Sequence, residues 1–402
     1  MTGTAGNRGD SVRADCFVSV ELTNGAGIQI TLQSKVASLY GTAIRKLCLD
    51  ILGFFNIQNA NLFIEDKGAL DFVIAARVEA AIKQVRPSER EYLLPVDPKH
   101  IYTTEKAKPR RSRLYLPGNS PKLMINAGIY NADGIILDLE DSVAPEKKIE
   151  ARFLVRNALR AINFYGAEKM VRINQIPQGL EDLKFVSPHH VNLILVPKCE
   201  SPDDIKQVNS AIDDFSKDSS CPIYLMPIIE SALGVINAYN IASAADNVAA
   251  LAIGLEDYSA DLGVNRTSEG SESLYARNVI INSAAAAGIQ PIDSVFSDVS
   301  DTEGLQQHVA NSKALGFAGM GCIHPRQIKI INKGFNPGYT EIEKAREIVL
   351  AYEKAKNEGS GVIAIGTKMI DLPIVKRALH TIDVALKNGL LTEKWRENGK
   401  ND

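Results

Sequence analysis

The stretch VAALAIGLED, Val248 to Asp257, is six apolar residues followed by glycine, leucine and two acids. A run this short and this uniformly apolar fits a strand buried on both faces, and the abrupt polar stop marks one of its ends. The same design recurs along the chain in RLYLPG from Arg113, GIILDLED from Gly134, EKMVRIN from Glu168 and VNLILVPK from Val191. It continues in IYLMPIIE from Ile223, IQPIDSVF from Ile289 and GFAGMGCIH from Gly316, with helical patterns between the runs. Eight such strands alternating with helices predict an α/β fold, a closed parallel (β/α)8 (TIM) barrel over residues 110–338. In such barrels the chemistry sits at the C-terminal ends of the strands, so the polar residues that stop each run become the candidate site.

Working outward, residues 1–85 read as a separate small α+β unit. CFVSVELTNGAGIQITL, Cys16 to Leu32, alternates about an NGAG turn and predicts a β-hairpin. A helix over 36–55, a strand in NANLFIED and a second helix in ALDFVIAARVEAAIKQV follow. Residues 86–109, rich in proline and charge with little periodicity, predict an exposed linker. Residues 339–402 predict a C-terminal helical extension, in which the short run GVIAIGTKM lies between two helical patterns.

A net charge of -3 with 23% charged residues supplies no basic field, so nucleic acid is not an expected partner. No window approaches the roughly 18 continuous apolar residues of a membrane span, so no membrane partner is expected either. Cys16, Cys48, Cys199, Cys221 and Cys322 show no paired spacing, which predicts a reducing, cytoplasmic setting. P-loop, GxGxxG, GxSxG and CxxC patterns do not occur, removing the usual sequence support for nucleotide hydrolysis, nicotinamide chemistry or a serine nucleophile.

Glu230 and Asp257 end the fifth and sixth barrel runs 27 residues apart, about one β/α unit, so they should sit on adjacent strand ends. Two carboxylates there, with water and substrate oxygens completing the shell, suit Mg²⁺, and Mn²⁺ can substitute. The structural alternative is that either acid caps a helix or pairs with a lysine. Asp138, Glu140 and Asp141 end the second run and add negative charge to the same mouth. Arg172 ends the third; it could grip a substrate carboxylate, stabilise a growing enolate, or only neutralise those acids. Arg110, Arg111, Arg113 and Lys122 surround the first run and could receive phosphates or a carboxylate, although basic residues there are often only solubilising. A lone histidine at a strand end, His324, reads as packing or hydrogen bonding.

Taken in order, RRSRLYLPG, ILDLEDSV, VRIN, PKCES, IIESALG, GLEDYSADLG and IHPRQI resemble the citrate lyase β-subunit family, the citryl-CoA lyase branch of the HpcH/HpaI aldolases, from about Arg110 to Asn388. The resemblance implies Glu230 and Asp257 as the metal ligands, Arg172 as the substrate-binding arginine, and Glu140, Asp141, Glu256 and Asp261 as supporting residues. GTKMIDLP resembles the C-terminal motif of the related malyl- and citramalyl-CoA lyases, in which the aspartate, here Asp371, serves as acid/base in a neighbouring subunit's site; a homotrimer is implied. Met320 departs from the family, where a lysine is expected. The N-terminal unit resembles the citrate lyase γ-subunit, an acyl carrier bearing a phosphoribosyl-dephospho-CoA arm on a serine; Ser11 is the nearest counterpart, with Arg13 and Ala14 in the aligned stretch.

The implied reaction is Mg²⁺-dependent cleavage of a citryl thioester, free or carrier-bound, to oxaloacetate and an acetyl thioester, with Arg111 and Lys122 as further substrate-binding residues and a citrate lyase α-subunit as partner. The rivals are a malyl- or citramalyl-CoA lyase acting on free CoA thioesters, and a non-catalytic carrier or scaffold subunit.

Overall fold

The computed structural model describes residues 1–216, 221–267, 269–357, 363–365 and 368–396, with backbone alone for 363–365 and 368–369. The expected GVIAIGTKM run and GTKMIDLP motif therefore fall partly outside the described residues, at Gly361, Val362, Gly366 and Thr367.

Four strands and two helices open the chain: β1 (Thr2–Gly6), β2 (Cys16–Leu22), β3 (Ile28–Ser34), α1 (Ala37–Phe54), β4 (Ala60–Asp66) and α2 (Asp71–Val85). The sheet order is β1-β2-β4-β3, with β4 antiparallel to β2 and parallel to β3. The expected β2–β3 hairpin is therefore corrected, since β4 lies between its two arms. β4 buries Ala60, Leu62, Ile64 and Asp66 and takes the inner position, while β3, with polar Gln29, Thr31 and Gln33 at alternate positions, suits an edge. Helix α1 then forms the crossover that a parallel β3–β4 pair requires.

Strand β1 had no sequence signal, because TGTAG carries almost no side-chain pattern. Smallness is what its position needs: a Cβ on Gly3 would lie 2.0 Å from the Ala81 carbonyl oxygen of α2. Every residue of α2 from Phe72 to Ile82 is buried, which explains why FVIAARVEAAI is apolar nearly all round. Among these residues Arg77 and Glu79 meet the barrel helix Lys148–Ala161 through buried ion pairs, Arg77 to Glu150 at 3.3 Å and Glu79 to Arg156 at 2.6 Å.

The barrel follows as read from sequence: β5 (Ser112–Pro117), β6 (Gly134–Asp138), β7 (Glu168–Arg172), β8 (Leu193–Val196), β9 (Tyr224–Ile229), β10 (Ala250–Ile253), β11 (Gln290–Asp293) and β12 (Gly319–Cys322) close into one parallel sheet. Alternate residues such as Ile136, Met170, Leu195, Met226 and Ile292 fill the interior. Their neighbours Leu137, Val171, Ile194 and Leu251 belong to the larger apolar core that the helices share. Between α2 and β5 the chain is tied to the barrel, with Tyr102 Oη donating to the Ala167 carbonyl at 2.6 Å and Tyr92 and Leu94 packed on apolar core.

The C-terminal extension holds a helix (Tyr339–Asn357), a two-stranded antiparallel ribbon of β13 (Ile363–Ile365) and β14 (Lys368–Ile370), and a last helix (Leu372–Lys387). Ala345, Val349, Ala378, Ile382 and Trp395 give it a small core of its own. The last helix ends beneath the N-terminal end of the barrel, where Asn388 donates to Asn336 Oδ1. A cavity of about 620 Å³ there is lined by Arg110, Arg111 and Gln290 from the barrel and by His380, Val384 and Lys387 from the helix.

Candidate active site

At the opposite end, the C-terminal strand ends converge as expected. Arg172, the last residue of β7, directs Nε and Nη2 onto the two oxygens of Asp138 at 2.7 Å each, a fork-on-fork pair. Its Nη1 lies 2.6 Å from Glu140 Oε2 and 3.6 Å from Asp141 Oδ2. Burial disfavours charge on Asp138, but the two bonds from Arg172 outweigh that and hold its carboxyl below the ordinary range. The same acids hold Arg172 firmly in its charged form despite burial. Arg172 is thus aimed by its neighbours, with its guanidinium 5.3 Å from the centre of the Tyr115 ring.

Glu230 directly follows β9 and is 6% exposed. Its Oε2 accepts the Lys198 backbone N–H at 3.0 Å; among the described residues it pairs with no basic side chain. Burial, then the nearby charges of Glu140 and Asp257, push its pKa up to about 8. Gly254 makes room for it, since a Cβ there would stand 2.5 Å from Glu230 Oε1.

Asp257 requires a small correction: β10 ends at Ile253, and Asp257 lies instead in the first turn of the helix Leu255–Leu262. An acid there is favoured by the helix dipole and still faces the mouth. Its nearest basic atom is Lys198 Nζ at 3.9 Å.

Lys198 is the residue that sequence reasoning missed, although it stops the run VNLILVPK as the strand-end rule requires. Its backbone is left-handed, φ 49°, which lets the amide reach Glu230 while the ammonium turns toward Glu140 at 3.2 Å and Asp141 at 3.8 Å. That side-chain position depends on residues about 60 places apart in sequence, so no local pattern announces it.

Other expected residues are placed as follows. Glu140 and Asp141 join the cluster through Arg172 and Lys198, and burial raises the Glu140 pKa. Glu256 pairs with Arg266, and Asp261 accepts the Ala232 N–H at 2.8 Å, so both hold local structure. His324 caps the helix Pro325–Phe335 by accepting the Arg326 N–H.

Arg111 is not brought to the mouth. It precedes β5, at the N-terminal end of the barrel, with its guanidinium committed to Asp133 at 2.7 Å and to Asn336. Lys122 is exposed on the short helix Pro121–Met124 that follows β5, on the mouth side. Asp371 is exposed and caps the last helix by accepting the Ile374 N–H; it is not among the residues that line the mouth cavity. Ser11 lies in an exposed turn between β1 and β2.

Among the described residues no three carboxylate, histidine or cysteine side chains form a ready metal cage. Magnesium needs no such cage: it keeps several waters and takes one or two carboxylates. Five carboxylates (Asp138, Glu140, Asp141, Glu230 and Asp257) share this mouth with three cations (Arg113, Arg172 and Lys198), and burial together with the neighbouring acids raises the Glu230 pKa. The hard oxygen donors and the surplus of negative charge fit a divalent cation at Glu230 and Asp257. These side chains line a cavity of about 370 Å³ with Arg113, Tyr115 and Arg172.

A family profile described as HpcH/HpaI aldolase/citrate lyase matches residues 111–325, over half of the chain. The chain belongs to the HpcH/HpaI aldolase/citrate lyase family. Within this family, the citrate lyase subunit beta of Leuconostoc mesenteroides subsp. cremoris is 40% identical over 287 residues, 70% of this chain and 95% of that one. The mitochondrial citramalyl-CoA lyase of Homo sapiens is 34% identical over 291 residues, 69% of this chain and 86% of that one. Protein CitE of Mycobacterium tuberculosis, solved in complex with magnesium, acetoacetate and coenzyme A, is 27% identical with a TM-score of 0.57, covering 71% of this chain and 100% of that one. Residues 4–85 match a second profile, described as malonate decarboxylase delta subunit, in keeping with a carrier-like N-terminal unit. Among the described residues no helix is long and apolar enough to cross a membrane.

Proposed function

We propose that this chain is a carbon–carbon lyase that cleaves a citryl thioester, on CoA or on a carrier, to oxaloacetate and an acetyl thioester. The observation that carries this reading is the buried Glu230, without a basic partner among the described residues, beside Asp257 at the mouth of a barrel whose relatives include citrate lyase beta subunits.

Glu230 and Asp257 would hold Mg²⁺, with Mn²⁺ as a substitute, in keeping with the magnesium-bound relative. When bound, the ion supplies Lewis-acid polarisation of the substrate's hydroxyl and carboxylate oxygens. In the cleavage the hydroxyl would give its proton to the Asp371 carboxylate, the bond to the acetyl carbon breaks, its electron pair passes into the thioester enolate, and the same proton is then available to the acetyl carbon. Arg172, oriented by Asp138, stands to stabilise that enolate charge. Lys198 keeps Glu140 and Asp141 from repelling an anionic substrate. Lys122, exposed on the mouth side, is suited to a phosphate of the thioester arm.

Asp371 would act in a neighbouring subunit of a homotrimer, protonating the acetyl carbon. Mixing Asp371→Asn with Glu230→Gln protein tests this, because complementary sites form only if Asp371 works across subunits. Recovered cleavage of citryl-CoA in the mixture supports the reading; two inactive proteins that stay inactive when mixed overturn it.

The second reading is a citramalyl- or malyl-CoA lyase working on free thioesters. It is favoured by the citramalyl-CoA lyase relative and by Arg13 and Ala14 standing where an arm-bearing serine is expected. A mass increase of a phosphoribosyl-dephospho-CoA arm at Ser11 would favour the carrier form and an α-subunit partner; an unmodified chain that cleaves free thioesters favours the second reading. A cytoplasmic setting suits the buried Cys16, Cys48, Cys199 and Cys322, which form no disulfide.

A further inference from the structure

Among the described residues four arginines are fully buried, and three of them grip acids: Arg77 holds Asp15, Arg110 holds Glu168, and Arg156 holds Glu79. Arg113 does not. It is 1% exposed, and among the described residues no carboxylate lies within ion-pair distance. Its Nη1 reaches only the Met226 thioether at 2.9 Å, and Nε has no partner. A guanidinium taken out of water without a counter-charge is among the costliest groups a core can hold.

Position in the barrel explains what it faces. Leu114 belongs to the core shared with the helices, so Arg113 and Tyr115 on either side of it turn inward. The residues in register with Arg113 on both adjacent strands are glycines, Gly134 on β6 and Gly321 on β12, so no side chain from either crowds it. It lines the same cavity as Arg172, Glu230 and Asp257. In strand register it stands four residues below the level of Asp138 and Arg172, at the floor of that cavity.

We propose that Arg113 is a specificity-determining residue that receives a second carboxylate of the substrate at the floor of the cavity, beneath the site of Glu230, Asp257 and Arg172. This rests on the lyase reading above and sharpens it. A citryl thioester carries a carboxymethyl arm on its hydroxyl-bearing carbon, where a citramalyl thioester has a methyl group and a malyl thioester a hydrogen. Only the first offers Arg113 an anion. The corresponding keto products differ in the same way, oxaloacetate keeping the second carboxylate that pyruvate lacks.

Arg113→Met tests the assignment, through the ratio of kcat/KM for citryl-CoA to that for citramalyl-CoA. A charge-assisted contact of this kind corresponds to a fall in that ratio of about tenfold to a hundredfold. Removing an unpaired buried charge should also raise the melting temperature of the ligand-free protein, whereas a merely structural arginine would lower it. Calorimetric binding of oxaloacetate and of pyruvate to the magnesium-loaded protein supplies a readout free of turnover: the preference for oxaloacetate should be lost in the variant. An unchanged substrate ratio, or wild-type protein that binds the two keto acids equally, overturns the proposal. If the wild-type chain cleaves neither thioester yet prefers oxaloacetate through Arg113, the anion pocket stands and the lyase reading fails.

Discussion

The seam between the N-terminal unit and the barrel, and the mouth of the barrel, are built from the same residue types and put to opposite uses. At the seam every buried guanidinium meets an acid. Arg77 reaches Asp15 and Glu150, and Arg156 reaches Glu79 and Glu91, at distances from 2.6 to 3.3 Å. At the mouth the acids outnumber the bases, and Glu230 meets no basic side chain among the described residues. A closed set of charges holds two pieces of chain together; an open set is suited to binding a further charge.

The largest effect should come from closing the open set. Glu230→Gln or Asp257→Asn is expected to lower kcat/KM for thioester cleavage by about a thousandfold or more, the several kcal/mol a bound ion contributes. The melting temperature should stay level or rise, as mutual repulsion is removed. Full activity in both variants would break the comparison.

Opening the closed set should do the reverse. Arg77→Met leaves Asp15 and Glu150 without their buried partner and is expected to cost about 3–5 kcal/mol in a denaturant titration. The folded fraction should cleave at the wild-type rate. Unaltered stability would mean the seam does not need its charge.

The smallest effect is a dependence on pH. Glu230 titrates near 8 in the folded chain and near its ordinary 4.5 when unfolded. Between those values the folded state holds the extra proton, so stability of metal-free protein should fall as pH rises and level off above about 8. Magnesium affinity should rise over the same window, by up to about tenfold per pH unit, because the ion displaces that proton. Glu230→Gln should flatten both slopes, and melts together with magnesium titrations at several pH values would reveal it if it does not.

The same contrast explains what could be read from sequence. The barrel was legible because its strands are buried on both faces, so runs such as LILV and ALAI carry the signal unaided. The pairing of β2 and β3 was not, since two-residue alternation fits a hairpin and a sheet with β4 between them equally well. Strand β1 left no trace because close approach to α2 selects glycine rather than apolar side chains. Glu230, Asp257, Glu140, Asp141 and Arg172 come together at one end of the barrel, as their sequence positions predict, because each closely follows or ends a strand. Arg111 lies two residues before Arg113 in sequence, yet it precedes β5 and so belongs to the far end of the barrel. Lys198 carries no local signal of where its side chain points, and Arg113 reads from sequence only as one of four basic residues around β5. Which charges the two meet or fail to meet across the barrel appears only when the strands are assembled.

The central claim is that Glu230 and Asp257 together hold one divalent ion. Titrating Mn²⁺ into metal-stripped protein and following free Mn²⁺ by electron paramagnetic resonance tests it without reference to turnover. One ion per chain should bind to the wild-type protein, and that binding should vanish in the Glu230→Gln/Asp257→Asn double variant. A double variant that still takes up one ion per chain with unchanged affinity would place the metal elsewhere and undo the account.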